Sequence, residues 1–292
     1  MKKLYIDLGN STNKTLIDNK RILECSNIEE VTESAFGSYK INNKYYIFGE
    51  NAKSRKQTNK IIEEKRNLLS KILYTNLEDN SKVDIVTLLP LSLYIDKINR
   101  QEYSALLQGQ HTVTNMHGFS KTILVNNVDV YCEGYSALIT DPRLLQQPTF
   151  LVEIGGTDLT IMYVHKTPDT NKYITIPNGM NIMFSQLSKV LTSKFKETYS
   201  ESDTKLTFYK YNELDEDTRL TITTFVDDYL QKNVLNNLYD LSYKKNIHNL
   251  CFVGGGSEDL SRWISIGEVL KDSIWKNIEG AKLLDIRKNG VR

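Results

Sequence analysis

Three short stretches of the chain carry residue types that suit phosphate chemistry. Two of them share a pattern, in which Asp7 precedes Gly9 and Lys14, and Glu153 precedes Gly155. Each joins an apolar strand to an acidic residue, one apolar residue, and then glycine with small hydroxyl or amide residues. The repetition predicts two glycine-bearing hairpins that together hold one nucleotide.

The chemistry of these residues fits a complex of magnesium and a nucleotide. Glycine lets its backbone N–H approach a phosphate closely, and successive N–H groups in a turn form an anion-binding concavity. Asp7 and Glu153 would repel phosphate directly, but a carboxylate can act through Mg²⁺, which keeps several of its waters. Lys14 adds a point charge for the phosphates. We therefore predict that Asp7 and Glu153 face the metal, through water.

The third stretch is a run of glycines late in the chain. Gly254, Gly255 and Gly256 follow an apolar strand and precede Ser257. A tight strand-to-helix turn needs fewer glycines, so the run favours close approach of the backbone to a ligand. Together with the two hairpins, it predicts a nucleotide held in a cleft between two halves of the protein.

Hydrophobic periodicity and turn residues predict the elements that position these motifs. The predicted strands are 3–7, 14–18, 21–25, 39–41, 45–48, 83–90, 111–117, 120–131 and 249–254, with a hairpin over 150–165. The predicted helices are 50–78, 95–108, 180–198, 218–240 and 258–271, with a short one near Glu133. The tail 282–292 is predicted to end in a short strand and a turn, and the lysine-rich stretch 53–66 to be a solvated helix face.

Composition narrows the class of protein. The 292 residues, 40% of them hydrophobic, are enough for two domains, and the repeated hairpin predicts two similar α/β halves with mixed sheets. The net charge of +1 lacks the basic excess of a nucleic-acid binder, so no direct contact with nucleic acid is expected. No apolar run or leader pattern predicts a membrane association. Three scattered cysteines indicate reduced thiols and a cytoplasmic location.

In this order, the motifs resemble those of the actin-like ATPase superfamily, and most of all the bacterial, plasmid-borne ParM-like proteins. Asp7, Gly9 and Lys14 stand where that family has its magnesium-linked aspartate, glycine and phosphate-contacting lysine. The other matching segments are Tyr46–Ala52 (hydrophobic-Gly-Glu-x-Ala), Leu88–Leu91 (Leu-Pro-Leu), Val130–Gly134 (the connector with the water-positioning glutamate, here Glu133), Gly155–Thr157 (the second phosphate loop), Asn178–Asn181 (a glycine turn near the ribose) and Gly254–Ser257 (the adenosine motif).

The resemblance implies a two-domain, actin-like ATPase fold of the α/β class, duplicated as in ribonuclease H, with the nucleotide cleft between its halves. The halves are expected at 1–148, with an inserted small subdomain at about 30–80, and 149–292, with a reduced one at about 185–245. ATP and Mg²⁺ are the implied cofactors, and the catalytic residues are Glu133, Glu153 and Asp7. The predicted nucleotide-binding residues are Gly9, Asn10, Ser11, Thr12, Asn13, Lys14, Gly155, Gly156, Thr157, Asp158, Gly179, Gly254, Gly255, Gly256 and Ser257.

The function implied by this resemblance is that of a filament-forming ATPase. The chain would polymerise head to tail with itself, because a heterologous interface that does not close generates an open polymer. ATP hydrolysis would control filament stability. The filament would segregate plasmid DNA through an adaptor protein bound to the plasmid centromere.

Several residues depart from the family pattern. Glu153 replaces the usual aspartate, Cys132 replaces the proline before Glu133, and Thr160 stands where a second acidic residue is expected, while Asp158 lies inside the loop. The changes at Glu153 and Thr160 leave open a scaffold that binds nucleotide without hydrolysing it.

Three further alternatives stay open at this point. Glu133 is either the residue that orients water or a carboxylate favoured at a helix N-terminus. Glu153 is either part of the metal's shell or a structural residue. A small-molecule kinase of the same superfamily is a second function, although the stretch 99–119 lacks the aspartate base that such a kinase needs.

Overall fold

The computed structural model describes residues 2–18, 20–53 and 59–290. Within these residues the strands are β1 (Lys2–Leu8), β2 (Thr12–Ile17), β3 (Lys20–Cys25), β4 (Ile28–Val31), β5 (Tyr39–Ile41), β6 (Lys44–Phe48), β7 (Lys82–Leu89), β8 (Gly109–Asn115), β9 (Ser120–Cys132), β10 (Thr149–Ile154), β11 (Leu159–His165), β12 (Thr167–Ile176), β13 (Asn249–Val253) and β14 (Glu268–Val269). The helices are α1 (Glu63–Asn76), α2 (Leu91–Tyr94), α3 (Lys97–Leu107), α4 (Tyr135–Leu138), α5 (Pro142–Gln146), α6 (Met180–Phe195), α7 (Glu201–Tyr209), α8 (Glu216–Leu230), α9 (Asn236–Asp240), α10 (Gly255–Asp259) and α11 (Ser273–Gly290), with a π-helical turn at Gln231–Leu235.

The chain folds into two compact units. The first contains the chain up to Thr140 together with the segment from Trp275 onward, and the second runs from Asp141 to Ile274. The second unit is therefore an insertion in the first. This division differs from the predicted halves, because the C-terminal helix α11 lies with the first unit from Trp275 onward.

The two sheets repeat one topology. The first sheet has the order β3-β2-β1-β7-β9-β8-β5-β6-β4, and the second has the order β12-β11-β10-β13-β14. In the first sheet, β3, β2 and β1 are antiparallel neighbours, and β7 and β9 then follow β1 in parallel. In the second sheet, β12, β11 and β10 are antiparallel neighbours, and β13 and β14 follow β10 in parallel. The predicted duplication of a mixed α/β sheet is confirmed.

Helices cover the first sheet by packing against alternating side chains of its strands. Along β7, Ile85 and Leu89 pack into one core with residues of α1 and α3, whereas Val86 and Leu88 pack with Ile278 and Ala281 of α11. Successive strand residues point to opposite faces, so β7 is buried on both sides. The second unit has a core of its own, formed by β10, β11 and β13 with helices α6 and α8.

Helix α11 is fixed to the first unit by buried polar contacts as well as by packing. Lys3 Nζ lies 2.8 and 3.0 Å from the two carboxylate oxygens of Asp285, which is 2% exposed, and Tyr5 donates to the same group at 3.1 Å. Gly280 packs so closely on helix α4 that an added Cβ would overlap the Ser136 carbonyl oxygen. None of the helices in the described part of the chain combines the length and apolar character needed to cross a bilayer.

Most predicted strands and hairpins match the structure, but three predicted elements differ from it. The helix expected over 50–78 begins only at Glu63, after a short 3-10 turn at Gly49–Asn51, and 54–58 lie outside the described residues. The helix expected over 258–271 ends at Asp259, and the chain turns back through Gly267, at φ +74°, into the edge strand β14. The tail expected to be a strand and a turn is the C-terminal part of α11 as far as Gly290, and 291–292 lie outside the described residues. Strands β4 and β12 and helices α2, α5 and α7 were not predicted.

A buried histidine makes the first unit sensitive to acid. His111 on β8 is 2% exposed, with Nδ1 2.8 Å from Ser70 Oγ and Nε2 2.9 Å from the Leu107 carbonyl oxygen. Burial, together with the nearby Arg66 guanidinium, lowers the pKa of His111 from 6.5 to about 4. The neutral ring is therefore the form that the fold accommodates.

We expect the stability contributed by His111 to be complete above pH 6.5 and to fall as the pH drops toward 4. The unfolded chain binds this proton below pH 6.5, whereas the folded protein binds it only near pH 4, so acid favours unfolding. Between pH 7.5 and 5.0 the loss is about 2 kcal/mol, since one pKa unit corresponds to about 1.4 kcal/mol. Urea unfolding at both pH values measures it. The loss should be smaller in His111→Gln and unchanged in His165→Gln, whose ring is exposed; an equal loss in all three proteins contradicts the assignment.

Candidate functional site

The acidic residue of the first hairpin is buried near the end of strand β1. Asp7 is 4% exposed, stands opposite Lys14 of β2, and accepts a hydrogen bond from Lys14 Nζ at 2.8 Å through Oδ2. Burial alone raises the pKa of the Asp7 carboxyl, but Lys14, Lys60 and Lys65 together hold it below its ordinary value. Asp7 is thus a carboxylate surrounded by ammonium groups.

The second carboxylate oxygen of Asp7 has capacity left for a ligand. Among the described residues Oδ1 receives no hydrogen bond, although it is buried, and Lys60 Nζ lies 3.7 Å away. Buried carboxylate oxygens are normally satisfied, so an acceptor of this kind suits a cation or a cation-bound water. The residues present therefore fit the predicted magnesium role. In 2–18, 20–53 and 59–290, no three His, Cys, Asp or Glu side chains form a ready-made metal site.

The glycine turn of the first hairpin leaves no room for a side chain. A Cβ on Gly9 would overlap the Thr12 carbonyl oxygen. Lys65 Nζ donates to the Gly9 carbonyl at 2.7 Å, and Ser26 ties the far side of the turn through its N–H to Ser11 O, at 3.0 Å. The predicted binding residues 9–14 thus lie in and beside one tight turn.

The side chain of Asn13 is buried and is hydrogen-bonded within the first unit. It is 2% exposed, and its Oδ1 accepts a hydrogen bond from Ser26 Oγ at 2.9 Å. The side chain therefore fastens strand β2 internally, and this geometry does not favour its predicted contact with nucleotide.

Lys60 and Lys65 belong to this site, although the sequence predicted a solvated helix face over 53–66. They are 5% and 4% exposed, and Lys60 Nζ donates to Glu133 Oε1 at 2.8 Å and to the Leu8 carbonyl at 3.1 Å. The prediction is wrong for these two residues, and 54–58 lie outside the described residues. The available signal was the pair Ile61–Ile62, which directly follows Lys60 and indicates packing.

Glu133 lies in the turn between strand β9 and helix α4. Its N–H donates to the Leu89 carbonyl at 2.8 Å, and the next residue, Gly134, adopts φ +71° and donates to Asn277 Oδ1 at 2.7 Å. Because Gly134 is the N-cap, Glu133 precedes the helix and its carboxylate pairs with Lys60. The structure thus brings three predicted residues of the first unit together: Asp7 and Glu133 lie on either side of Lys60, and Lys14 pairs with Asp7.

In the second unit, Glu153 occupies the position on β10 that Asp7 has on β1, next to the last residue of the strand. It stands opposite Thr160 of β11, whose hydroxyl lies 3.0 Å from that of Thr175 on β12. Thr160 stands where the family resemblance implies an acidic residue, and its hydroxyl instead pairs with that of Thr175 within the sheet.

The second glycine loop closes on itself. Gly155 N–H donates to the Asp158 carbonyl at 2.9 Å, and a Cβ on Gly155 would lie 3.1 Å from Asp158 Oδ1. The Asp158 carboxylate thus lies against the loop, where a bound phosphate would need a cation to balance it.

The predicted ribose turn packs directly on this second loop. Met180 N–H donates to the Gly155 carbonyl at 3.0 Å, Asn181 N–H donates to the Gly156 carbonyl at 2.8 Å, and Gly179 N–H donates to the Thr157 carbonyl at 3.2 Å. A Cβ on Gly179 would lie 2.6 Å from the Asp158 nitrogen. The glycine at 179 is therefore required for two distant motifs to meet.

The sequence did not predict the side chains that hold this turn through Asn178. Tyr229 donates its hydroxyl to the Asn178 carbonyl, and Asn178 Nδ2 donates to Asn233 Oδ1 at 2.7 Å. Asn233 lies in the π-helical turn after α8, and such turns are frequent at functional sites. No motif in the sequence marks Tyr229 or Asn233.

The late glycine run lies tightly between β13 and the end of β10. Gly254 adopts φ +92°, with Ile154 O 2.5 Å from the position of a Cβ, and Gly256 faces Ile154 Cγ2 at the same distance. Ser257 is fully buried, and its hydroxyl donates to the Val253 carbonyl at 2.5 Å. The Ser257 side chain therefore bonds within the turn after β13, and this position does not favour a contact between that side chain and a nucleotide.

The class of protein follows from comparisons with known families. Residues 6–135 match the family model for the N-terminal domain of actin-like proteins. A search of curated proteins gave no match. The whole chain has the two-domain actin-like α/β fold, and the resemblance to ParM-like actin-like proteins predicted from the motifs is confirmed.

Solved structures share this fold over nearly the full length of the chain. An archaeal actin homologue, Ta0583, in complex with ADP, has a TM-score of 0.79 at 16% identity, covering 98% of this chain and 100% of that one. A non-polymerisable quadruple mutant of pCBH ParM has a TM-score of 0.73 at 20% identity, with 98% and 99% covered. The Alp12 filament structure has a TM-score of 0.72 at 16% identity, with 99% of each chain covered.

Proposed function

We propose that this protein is a filament-forming actin-like ATPase that polymerises with bound ATP and Mg²⁺ and hydrolyses the nucleotide. The observation that carries the proposal is the group of charges at the end of β1. Three ammonium groups, from Lys14, Lys60 and Lys65, surround two carboxylates, Asp7 and Glu133, beside the Gly9 turn. A concave backbone turn with one excess positive charge suits a polyphosphate.

The proposed chemistry is positioning and charge stabilisation, which is what phosphoryl transfer requires of a protein. Backbone N–H groups of the Gly9 and Gly155 turns would hold the phosphates, and Lys14 would neutralise their charge. Asp7, through Oδ1, and Glu153 would hold the metal through water, and Mg²⁺ supplies further neutralisation of phosphate oxygens. Glu133 would orient the attacking water and accept its proton.

Self-association is supported by an apolar surface on the first unit as well as by the fold shared with a solved filament. Phe36 is 90% exposed and Phe119 is 69% exposed, on neighbouring turns that Gly37 and Met116 join through an N–H···S contact of 3.0 Å. Exposed aromatic side chains in adjacent turns are typical of interaction sites. We propose that these turns, which we call the aromatic turns, contribute to head-to-tail contacts.

The cellular role that we propose is plasmid DNA segregation. The net charge of +1 gives no electrostatic basis for direct binding to DNA. An adaptor protein bound to the plasmid centromere would therefore link filament and DNA.

The test is to follow light scattering and phosphate release together after Mg-ATP is added to the purified protein. We expect scattering to rise and phosphate to follow, and both to be absent with ATP and EDTA. Phe36→Ser/Phe119→Ser should raise the protein concentration needed for scattering, whereas Ile98→Ser, an exposed apolar residue on α3, should not.

Other outcomes identify the competing functions. Scattering without phosphate release indicates a scaffold that binds nucleotide without hydrolysing it. Absence of scattering with every nucleotide overturns the filament, and conversion of ATP to ADP that needs an added acceptor and releases little phosphate indicates a kinase.

A further inference from the structure

Lys60 has an unusual position for a lysine. It is 5% exposed, and its ammonium donates to the Leu8 carbonyl at 3.1 Å and to Glu133 Oε1 at 2.8 Å. Its third neighbour is Asp7 Oδ1, at 3.7 Å. An ammonium has three N–H donors; two of them make these hydrogen bonds, and Asp7 Oδ1 lies at ion-pair distance without accepting one.

The partners keep this buried group charged. Burial lowers the pKa of Lys60, but Glu133 and Asp7 outweigh that effect and raise it above the ordinary lysine value. Removing an ammonium group from water is costly, and a buried pair persists only when its geometry is good. The contacts of Lys60 therefore constrain the two carboxylates as much as they stabilise the lysine.

The three lysines of the site are arranged differently. Lys14 pairs with Oδ2 of Asp7, and Lys65 donates to the Gly9 carbonyl. Lys60 instead lies between Asp7 and Glu133, which come from different strand ends of the first sheet. It is thus placed to fix the distance and direction between the carboxylate proposed for the metal and the carboxylate proposed for the water.

We propose that Lys60 is a positioning residue, which holds the Glu133 carboxylate in the direction needed to orient the attacking water and couples it to Asp7. This inference rests on the proposed ATPase function. It assigns Lys60 an action through Glu133, in contrast to a direct phosphate contact or a purely structural role.

The experiment is a double-mutant cycle with Lys60→Met, Glu133→Gln and the double variant. Single-turnover phosphate release, affinity for a fluorescent ATP analogue, and urea unfolding of the nucleotide-free protein are measured for each. The matched control is Lys71→Met, which breaks a comparable pair between helix α1 and Glu24 of β3; among the described residues, Lys71 makes no ion pair with Asp7 or Glu133. Wild-type protein is measured alongside, because its phosphate release tests the proposed function and the variants test the role of Lys60.

We expect Lys60→Met to slow phosphate release by about 10- to 100-fold, within the range for a displaced catalytic group, and to change analogue affinity by less than about threefold. The double variant should be no slower than Glu133→Gln. Unfolding should also show coupling, because the double variant loses less stability than the sum of the single variants. Lys71→Met should leave phosphate release unchanged.

Several results would overturn the proposal. Multiplicative slowing in the double variant means that Lys60 acts independently of Glu133, for example on the phosphates. Unchanged release in Lys60→Met, with wild-type protein active, refutes the positioning role and leaves the proposed function intact. Wild-type protein that releases no phosphate overturns both. If Lys60→Met does not fold, Lys60→Arg replaces it in the cycle, because arginine keeps the charge but moves the N–H donors. Lys60→Arg should then slow phosphate release in the wild-type background and have no further effect in the Glu133→Gln background.

Discussion

Replacing Gly280 with alanine is expected to destabilise the first unit by about 3 kcal/mol or more, at the upper end of the cost of overpacking. Helix α11 lies against helix α4 at this point, and the new methyl group would overlap the Ser136 carbonyl oxygen. That neighbour is backbone and cannot rotate away. The helix must therefore shift, which also disturbs the contacts of Ile278 and Ala281 with strand β7.

Urea unfolding measures this effect, and Gly290→Ala in the same helix is the control. A Cβ at Gly290 meets nothing within 4 Å, so the substitution changes helix propensity alone. It should be neutral, or stabilise by at most about 1 kcal/mol. Equal free energies of unfolding for the two variants would show that the contact between α11 and α4 is not close.

The second large effect concerns Glu133. We expect Glu133→Ala to lower the rate of phosphate release by about 10²- to 10⁴-fold, the range for removal of a general base. Binding of a fluorescent ATP analogue and ATP-dependent scattering should persist, because the Gly9 turn, Lys14 and the second unit are unchanged. Filaments of this variant should therefore outlast those of the wild type.

The control for this prediction is Glu24→Ala, which removes another carboxylate that pairs with a lysine in the first unit. It should release phosphate at the wild-type rate. Wild-type release from Glu133→Ala would instead assign this carboxylate to a structural role in the turn before α4. A parallel fall in release and in analogue binding would indicate general damage to the site.

The parts of the fold that are predictable from sequence depend on local signals. The hairpin of β5 and β6 is an example, because Asn42 and Asn43 adopt φ of 50° and 64°, which favours asparagine in a two-residue turn. The positions of the acidic and glycine residues in both glycine-bearing hairpins were predictable for a similar reason. Their spacing along a strand and turn fixes where they lie.

The failures arise where distant segments decide the structure. The stretch after Asp259 has apolar residues spaced as in a helix, yet Leu270 N–H donates to the Phe252 carbonyl at 3.0 Å and draws the segment into the sheet. The end of α11 is helical because its buried Asp285 finds Lys3 and Tyr5 at the other end of the chain. Neither partner can be inferred from local sequence.

Lys60 shows the same limitation in the candidate site. It is one of six basic residues between 53 and 66, and that composition is typical of a solvated surface. Only the folded arrangement of β1, the turn at Glu133 and the segment before α1 brings its ammonium to the Leu8 carbonyl, the Glu133 carboxylate and the neighbouring Asp7 carboxylate. Because these partners come from two distant parts of the chain, no periodic pattern in the sequence marks Lys60.

The placement of α11 has a consequence for the order of events on the ribosome. The second unit is complete once Ile274 has emerged, whereas the first unit still lacks the helix that packs on β7 and neutralises Lys3. Domains generally fold as units during synthesis. The second unit can therefore fold before the first, and one face of the first sheet lacks its contacts with α11 until that helix is translated.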